Sequence, residues 1–163
     1  MYRKVLRALI ALGIVGVFSG FLFAKPAFAY SDAYYSPDLY GSWTGFTDLN
    51  GVPSAYANSN GSNNTAEASW WISVPQSDCQ LWIYVPEGHA TATVGYGLYH
   101  AFLGGQLREA VWSTDQNNDY GWTRLGGTLP TDVDEIDMAN SDGQTNTQVG
   151  VGTSGTSLEV YCP

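Results

Sequence analysis

Beyond residue 25 the chain has no lysine, and beyond residue 7 its only arginines are Arg108 and Arg124. All fifteen carboxylates lie after residue 31. A surface so poor in cations repels phosphate backbones and anionic lipid headgroups, so nucleic-acid binding and peripheral membrane binding are excluded as main functions. Histidine is equally scarce: His89 and His100 are the only two. No serine sits in a G-x-S-x-G elbow, and no phosphate-cradling or dinucleotide glycine motif is present. Nothing marks two carboxylates as a catalytic pair, and no catalytic residue is assigned. There is no C-x-x-C, and the two cysteines, Cys79 and Cys162, are not spaced with the histidines as metal ligands. No stretch beyond residue 30 carries a useful helical period.

The first 29 residues differ from the rest. Arg3, Lys4 and Arg7 precede an almost uninterrupted apolar run over 8–23, and Ala27-Phe28-Ala29 supplies small residues at the two positions that signal peptidase reads. Residues 1–29 are therefore read as a signal peptide cleaved after Ala29, with an uncleaved anchor as the alternative. The expected location is extracellular, with no membrane contact after cleavage. In an oxidising compartment Cys79 and Cys162 are expected to form one disulfide. Such a bridge between an early strand and the last one contributes on the order of 4 kcal/mol in the chain-entropy account. Four of the six phenylalanines leave with the leader, whereas all six tryptophans and ten of the eleven tyrosines stay. Trp and Tyr combine an apolar face with a polar edge and suit partly wet surfaces as well as cores.

From residue 30 onward, short β-type runs alternate with clusters of Gly, Asn, Asp, Ser and Pro. Residues 30–42 read as a flexible N-terminal arm and 48–65 as a long polar loop. Strands are expected near 43–47, 66–74, 79–85, 90–100, 107–112, 122–125, 133–138, 147–152 and 156–161. Within 79–85, Leu81, Ile83 and Val85 alternate with Trp82 and Tyr84, so one set faces the core. Eight or nine short strands at this spacing indicate an all-β, antiparallel β-sandwich over 43–163, of jelly-roll type, with an immunoglobulin-like sandwich as the alternative.

Several runs carry a resemblance. Ala66-Glu67-Ala68-Ser69-Trp70-Trp71-Ile72-Ser73-Val74-Pro75 with Leu81-Trp82-Ile83-Tyr84-Val85-Pro86 resembles the paired opening strands of the golvesin C-terminal-like domain, which also occurs as a non-catalytic domain of xanthan lyases. The most specific piece is Asp115-Gln116, a polar spacer, then Gly121-Trp122-Thr123-Arg124-Leu125-Gly126, similar to the family's D-Q…W-x-x-L-G run. Ile136-Asp137-Met138-Ala139-Asn140 is similar to the aliphatic strand that follows it and closes in Asn. The resemblance implies a galactose-binding-like sandwich that recognises carbohydrate without catalysis. Asp78-Cys79 replaces the family's usual strand-opening Gly, and the acidity of this chain argues against an anionic polysaccharide.

The D-Q…W-x-x-L-G residues also have a reading of their own. An inward Gln116 can bond backbone groups of a neighbouring strand. Trp122 and Leu125 would plug one end of the sandwich, and Gly126 and Gly127 allow a tight turn. Asp115, Gln116, Trp122, Leu125 and Gly126 are thus first a structural motif. The loops beside them are the expected ligand carriers: Asn117, Asn118, Asp119 and Tyr120 with Trp122 in one group, Trp43 and Tyr56 with the Asn-rich segment 58–64 in another. Asp132, Asp134, Glu135 and Asp137 read as solvated edge charge; they lack a D-x-D-x-D-G loop, and a structural calcium is the alternative. No other cofactor or metal is expected. The partner implied is a polysaccharide or glycan; the alternative is a structural domain that meets another protein through exposed aromatics.

Overall fold

A computed structural model describes residues 31–102, 105–141, 143–155 and 157–163. The expected signal peptide, residues 1–29, and its expected cleavage point lie outside them. All regular elements among these residues are β-strands, joined only in antiparallel pairs. They are β1 (Ser31–Tyr35), β2 (Asp38–Gly41), β3 (Thr44–Thr47), β4 (Pro53–Asn60), β5 (Ala66–Trp71), β6 (Gln80–Val85), β7 (Thr93–Phe102), β8 (Gly105–Asp115), β9 (Gly121–Leu125), β10 (Glu135–Ala139), β11 (Thr145–Gly152) and β12 (Leu158–Cys162). A four-stranded sheet runs β1-β12-β6-β9, a five-stranded sheet β2-β5-β10-β7-β8, and a three-stranded sheet β11-β4-β3.

The side-chain period of two dictates how the two large sheets meet. Leu81, Ile83 and Val85 of β6 and Leu158 and Val160 of β12 point inward from one sheet; Trp70, Tyr96, Leu98, Ile136 and Met138 point inward from the other. All share one buried cluster, so the architecture is an antiparallel β-sandwich. Ala55, Val149 and Val151 join that cluster from the three-stranded sheet.

Buried polar groups are tied across the layers. The fully buried Trp70 ring donates from Nε1 to Ser157 Oγ at 3.0 Å, and Ser157 in turn accepts Tyr84 N through its carbonyl and donates to Tyr35 O. Asn140, 1 % exposed, satisfies its whole amide: Oδ1 accepts the N–H groups of Thr65 and Ala66, and Nδ2 donates to Asn58 O and Thr65 Oγ1. A complete set of partners is what makes a buried amide tolerable. The Cys79–Cys162 disulfide forms, with S–S 2.00 Å and Cα–Cα 4.2 Å, and ties the segment before β6 to the end of β12.

Three sequence expectations need correction. Residues 31–41 are not a loose arm: β1 extends the four-stranded sheet along β12, and β2 extends the five-stranded sheet along β5. The polar stretch 48–65 contains the eight-residue β4, whose Ser54, Ala55, Ala57 and Ser59 are buried. Small residues bury little apolar area each, so the strand lacks the hydrophobic signal on which periodicity depends. Glu135 and Asp137 are not edge charges either, because β10 is the central strand of its sheet.

Candidate functional site

The outward residues of the four-stranded sheet form an aromatic face. β6 turns Trp82 and Tyr84 outward, β12 Glu159 and Tyr161, β9 Trp122 and Arg124, and β1 Asp32 and Tyr34. Register places Tyr34, Glu159, Trp82 and Arg124 in one line across the four strands. Tyr161 pairs with Gln80 in the next line, and Tyr84 with Trp122 on the other side. Trp82, Trp122, Glu159 and Tyr161 enclose an open cleft of about 260 Å³.

The face is held by a buried support. Tyr84 packs edge-on beneath Trp122, with ring centroids 5.7 Å apart at 73°. Its hydroxyl donates to Asp48 Oδ2 at 2.6 Å, and Asp48 Oδ1 accepts the N–H groups of Asn50 and Val52 at 2.9 and 2.7 Å. The turn after β3 thus fixes Tyr84, and Tyr84 fixes Trp122. Burial and the hydrogen bond to Asp48 push the Tyr84 hydroxyl up to about 12, so it stays a donor at every physiological pH. The nearby Glu159 carboxylate raises the Tyr34 hydroxyl, to which it is hydrogen-bonded. Burial, then the Asp32 charge, raises Glu159 itself.

The arrangement combines two kinds of surface. Indole and phenol rings offer flat apolar faces, while Glu159 accepts and Arg124 donates hydrogen bonds in a cross-strand line with Trp82. That combination matches a ligand with one apolar face and a polar rim.

The sequence candidates separate in space. Trp122 lies on the aromatic face, 39 % exposed, and does not plug the end of the sandwich; Leu125 alone turns into the core, because the strand period puts residues three apart on opposite faces. Trp43 is a fastener: its Nε1 donates to Tyr40 O at 3.0 Å and Glu67 O at 3.1 Å, joining β2 to β5. Tyr56 is part of a separate cluster, stacked on His89 at 4.3 Å and 11° with Phe46 edge-on. Asn117, Asn118 and Asp119 are engaged within their own turn. Asp115 accepts from Asn117 N and Asn118 Nδ2, while Asp119 accepts from Thr114 Oγ1 at 2.5 Å. Tyr120 is 44 % exposed just ahead of β9.

Gln116 is fully buried and behaves like a strand residue paired with Gly150. It donates from Nε2 to Gly150 O at 2.8 Å and accepts Gly150 N at 2.9 Å, with a third contact to the Tyr96 hydroxyl. Gly126 has φ +55, and a Cβ there would fall 2.1 Å from the Trp112 ring. Among the described residues no group of three His, Cys, Asp or Glu side chains could hold a metal ion. Sequence reasoning missed Trp82, Glu159, Tyr161 and Tyr34 as site residues. Their signal was the polar-side half of the strand alternation: Trp82 and Tyr84 oppose a buried aliphatic set, so they belong to the outer face.

No family model matches the chain, and no curated protein does. The resemblance to the golvesin C-terminal-like domain therefore rests on the sequence motifs alone. Among solved structures, the chain is similar to the family 32 CBM from C. perfringens NanJ in complex with galactose, at 14 % identity and a TM-score of 0.43, over 82 % of this chain and 93 % of that one.

Proposed function

We propose that this chain is a secreted, non-catalytic domain that binds neutral carbohydrate on the aromatic face of its four-stranded sheet. The observation that supports this most directly is the cleft lined jointly by Trp82, Trp122, Tyr161 and Glu159. A pyranose ring has an apolar C–H face that stacks on indole and phenol, and equatorial hydroxyls that pair with carboxylate oxygens and guanidinium N–H groups. A neutral sugar is favoured over an anionic one because Asp32 and Glu159 share the face with Arg124 as its single cation, and the rest of the chain after residue 25 adds only Arg108.

Binding is favoured over hydrolysis because Glu159 is the one carboxylate among the residues lining the cleft, whereas glycoside hydrolysis uses two that flank the bond. Secretion is supported by the leader-like residues 1–29 and by the disulfide.

Isothermal titration against a panel of neutral glucans, galactans and mannans tests the reading. Binding is expected, with the contribution of this face lost on Trp82→Ala/Trp122→Ala. Absence of binding to every member would overturn it and favour a protein partner for the same aromatics. Mass spectrometry of the exported protein is expected to find Tyr30 at the amino terminus.

A further inference from the structure

The five-stranded sheet has an outward face of a different character. Strands β5, β10, β7 and β8 bring three cross-strand lines to it. The first is Trp71, Glu135, Tyr99 and Arg108; the second is Ser69, Asp137, Gly97 and Val111; the third includes Glu67, Ala139, Gly95 and Ser113. Val111, 52 % exposed, stands at one side of this face, and the small residues Gly95, Gly97 and Ala139 lie beside it. The result is a groove of about 270 Å³ whose floor is Gly95 and Gly97 and whose walls include Glu67, Asp137, Tyr99 and Arg108.

The two glycines are the informative feature. Glycine weakens a strand interior by roughly 0.5–1 kcal/mol relative to alanine, and in a strand it often marks a place where another molecule approaches closely. Neither residue has the positive φ that would require glycine. At Gly95 a Cβ would touch only a Val111 methyl at 3.3 Å. At Gly97 it would meet the Tyr99 ring at 2.6 Å. Glycine at 97 thus lets the Tyr99 ring lie down across the sheet, and glycine at 95 keeps the adjoining floor low. A phenol ring lying along a groove, beside the two carboxylates and a guanidinium, repeats by other residues the apolar-face-and-polar-rim pattern of the opposite sheet. One oxygen of Asp137, Oδ1, has no hydrogen-bond donor. The carboxylates Glu67 and Asp137 outnumber Arg108 in the groove's lining, so the groove disfavours an anionic chain and accepts hydroxyl donors.

We propose that this groove is a second saccharide-binding site, with Tyr99 as the stacking platform and Asp137, Glu67 and Arg108 as partners of sugar hydroxyls. The proposal rests on the carbohydrate reading above and goes beyond it: the two sites lie on opposite outer faces of the sandwich, so one domain engages two stretches of neutral polysaccharide and cross-links separate chains. Two weak sites on a rigid body gain avidity on a long polymer that neither has alone.

The experiment uses whichever neutral polysaccharide of the panel the intact domain binds most tightly, together with its hexasaccharide. Two hexasaccharides per domain are expected by titration, and light scattering on the long polymer should peak at an intermediate protein ratio. Trp82→Ala/Trp122→Ala should leave one site and no scattering peak. Adding Tyr99→Ala to that variant should weaken the remaining site about tenfold or more. Gly97→Ala, which displaces the ring while removing no polar group, should have the same effect. Both outward substitutions are checked for an unchanged melting temperature. If the intact domain binds one hexasaccharide and Trp82→Ala/Trp122→Ala binds none, the groove is not a site and the first face stands. If nothing binds the intact domain, the carbohydrate reading itself fails. If the intact domain binds one hexasaccharide and Trp82→Ala/Trp122→Ala binds it as tightly, the aromatic face is not a site and the groove alone stands.

Discussion

The rings of Tyr34 and Trp122 lie 6.1 Å apart at 66°, although their strands are the two opposite edges of the four-stranded sheet. Three strand spacings amount to about 14 Å. The two side chains therefore lean toward each other over the middle of the sheet, above the support that Tyr84 provides. Both residues stay open to solvent, Tyr34 49 % and Trp122 39 % exposed.

Removing these rings should separate binding from stability. Trp122→Ala or Trp82→Ala is expected to weaken saccharide binding at the aromatic face about tenfold or more, consistent with the loss of about 1.4 kcal/mol or more. The same variants should unfold within about 1 kcal/mol of the parent, since surface positions away from the core contribute little. Titration and urea denaturation read the two effects independently.

Asp48 should behave as a positioning residue. Asp48→Ala removes acceptors for Asn50 N, Val52 N and the Tyr84 hydroxyl. A loss of about 1–3 kcal/mol in stability is expected from the unpaired groups. Binding should weaken as well, because Trp122 loses its fixed support. The near-ultraviolet circular dichroism of the aromatic residues should change in this variant, a readout that separates altered ring packing from a plain loss of stability.

Gln116 is the more costly buried position. Gln116→Leu leaves Gly150 N–H, Gly150 C=O and the Tyr96 hydroxyl without their partners. Each buried group left unpaired costs about 1–3 kcal/mol, so an overall loss of about 3 kcal/mol or more is expected in urea denaturation.

Stability should fall as pH rises. Burial, followed by the charge of Asp137, lifts the Glu135 carboxyl to about 7. Burial raises Asp137 too, with Glu67 adding to the shift while Ser69 and Glu135 counter part of it. A carboxyl with a raised folded-state pKa binds its proton more tightly when folded. The folded state therefore holds more protons than the unfolded one between the ordinary carboxylate range and about pH 7, and stability declines across that window. Melting temperature is expected to be higher at pH 5 than at pH 8. Glu135→Gln should flatten that difference and raise the melting temperature at pH 8.

Reduction of Cys79–Cys162 frees the segment before β6 from the end of β12. A loss of about 2–5 kcal/mol is expected, read by urea denaturation with and without reductant.

The core strands were legible because their residues are large and alternate strictly. Leu81, Ile83 and Val85 against Trp82 and Tyr84 is a pattern that only a half-buried strand accommodates. β4 was not legible, since its buried positions are serine and alanine. The strands β1 and β2 were not, since their tyrosines and aspartates read as solvated chain. Edge strands gain their order from the ladder of a neighbour, β12 or β5, and a local pattern carries no record of that neighbour.

Composition and alternation by themselves determined that the chain from residue 30 onward is rich in carboxylates, poor in cations and built of antiparallel β-strands, with two cysteines that can pair in one way. Those properties add up residue by residue or repeat along one strand. Only the tertiary structure decided which aromatics share a surface: Tyr34, Trp82, Trp122 and Tyr161 come from four separate strands, and Trp43 and Tyr56, equally plausible in the chain, point elsewhere. Strand order and register set that outcome, and both are fixed by pairings between residues far apart in sequence.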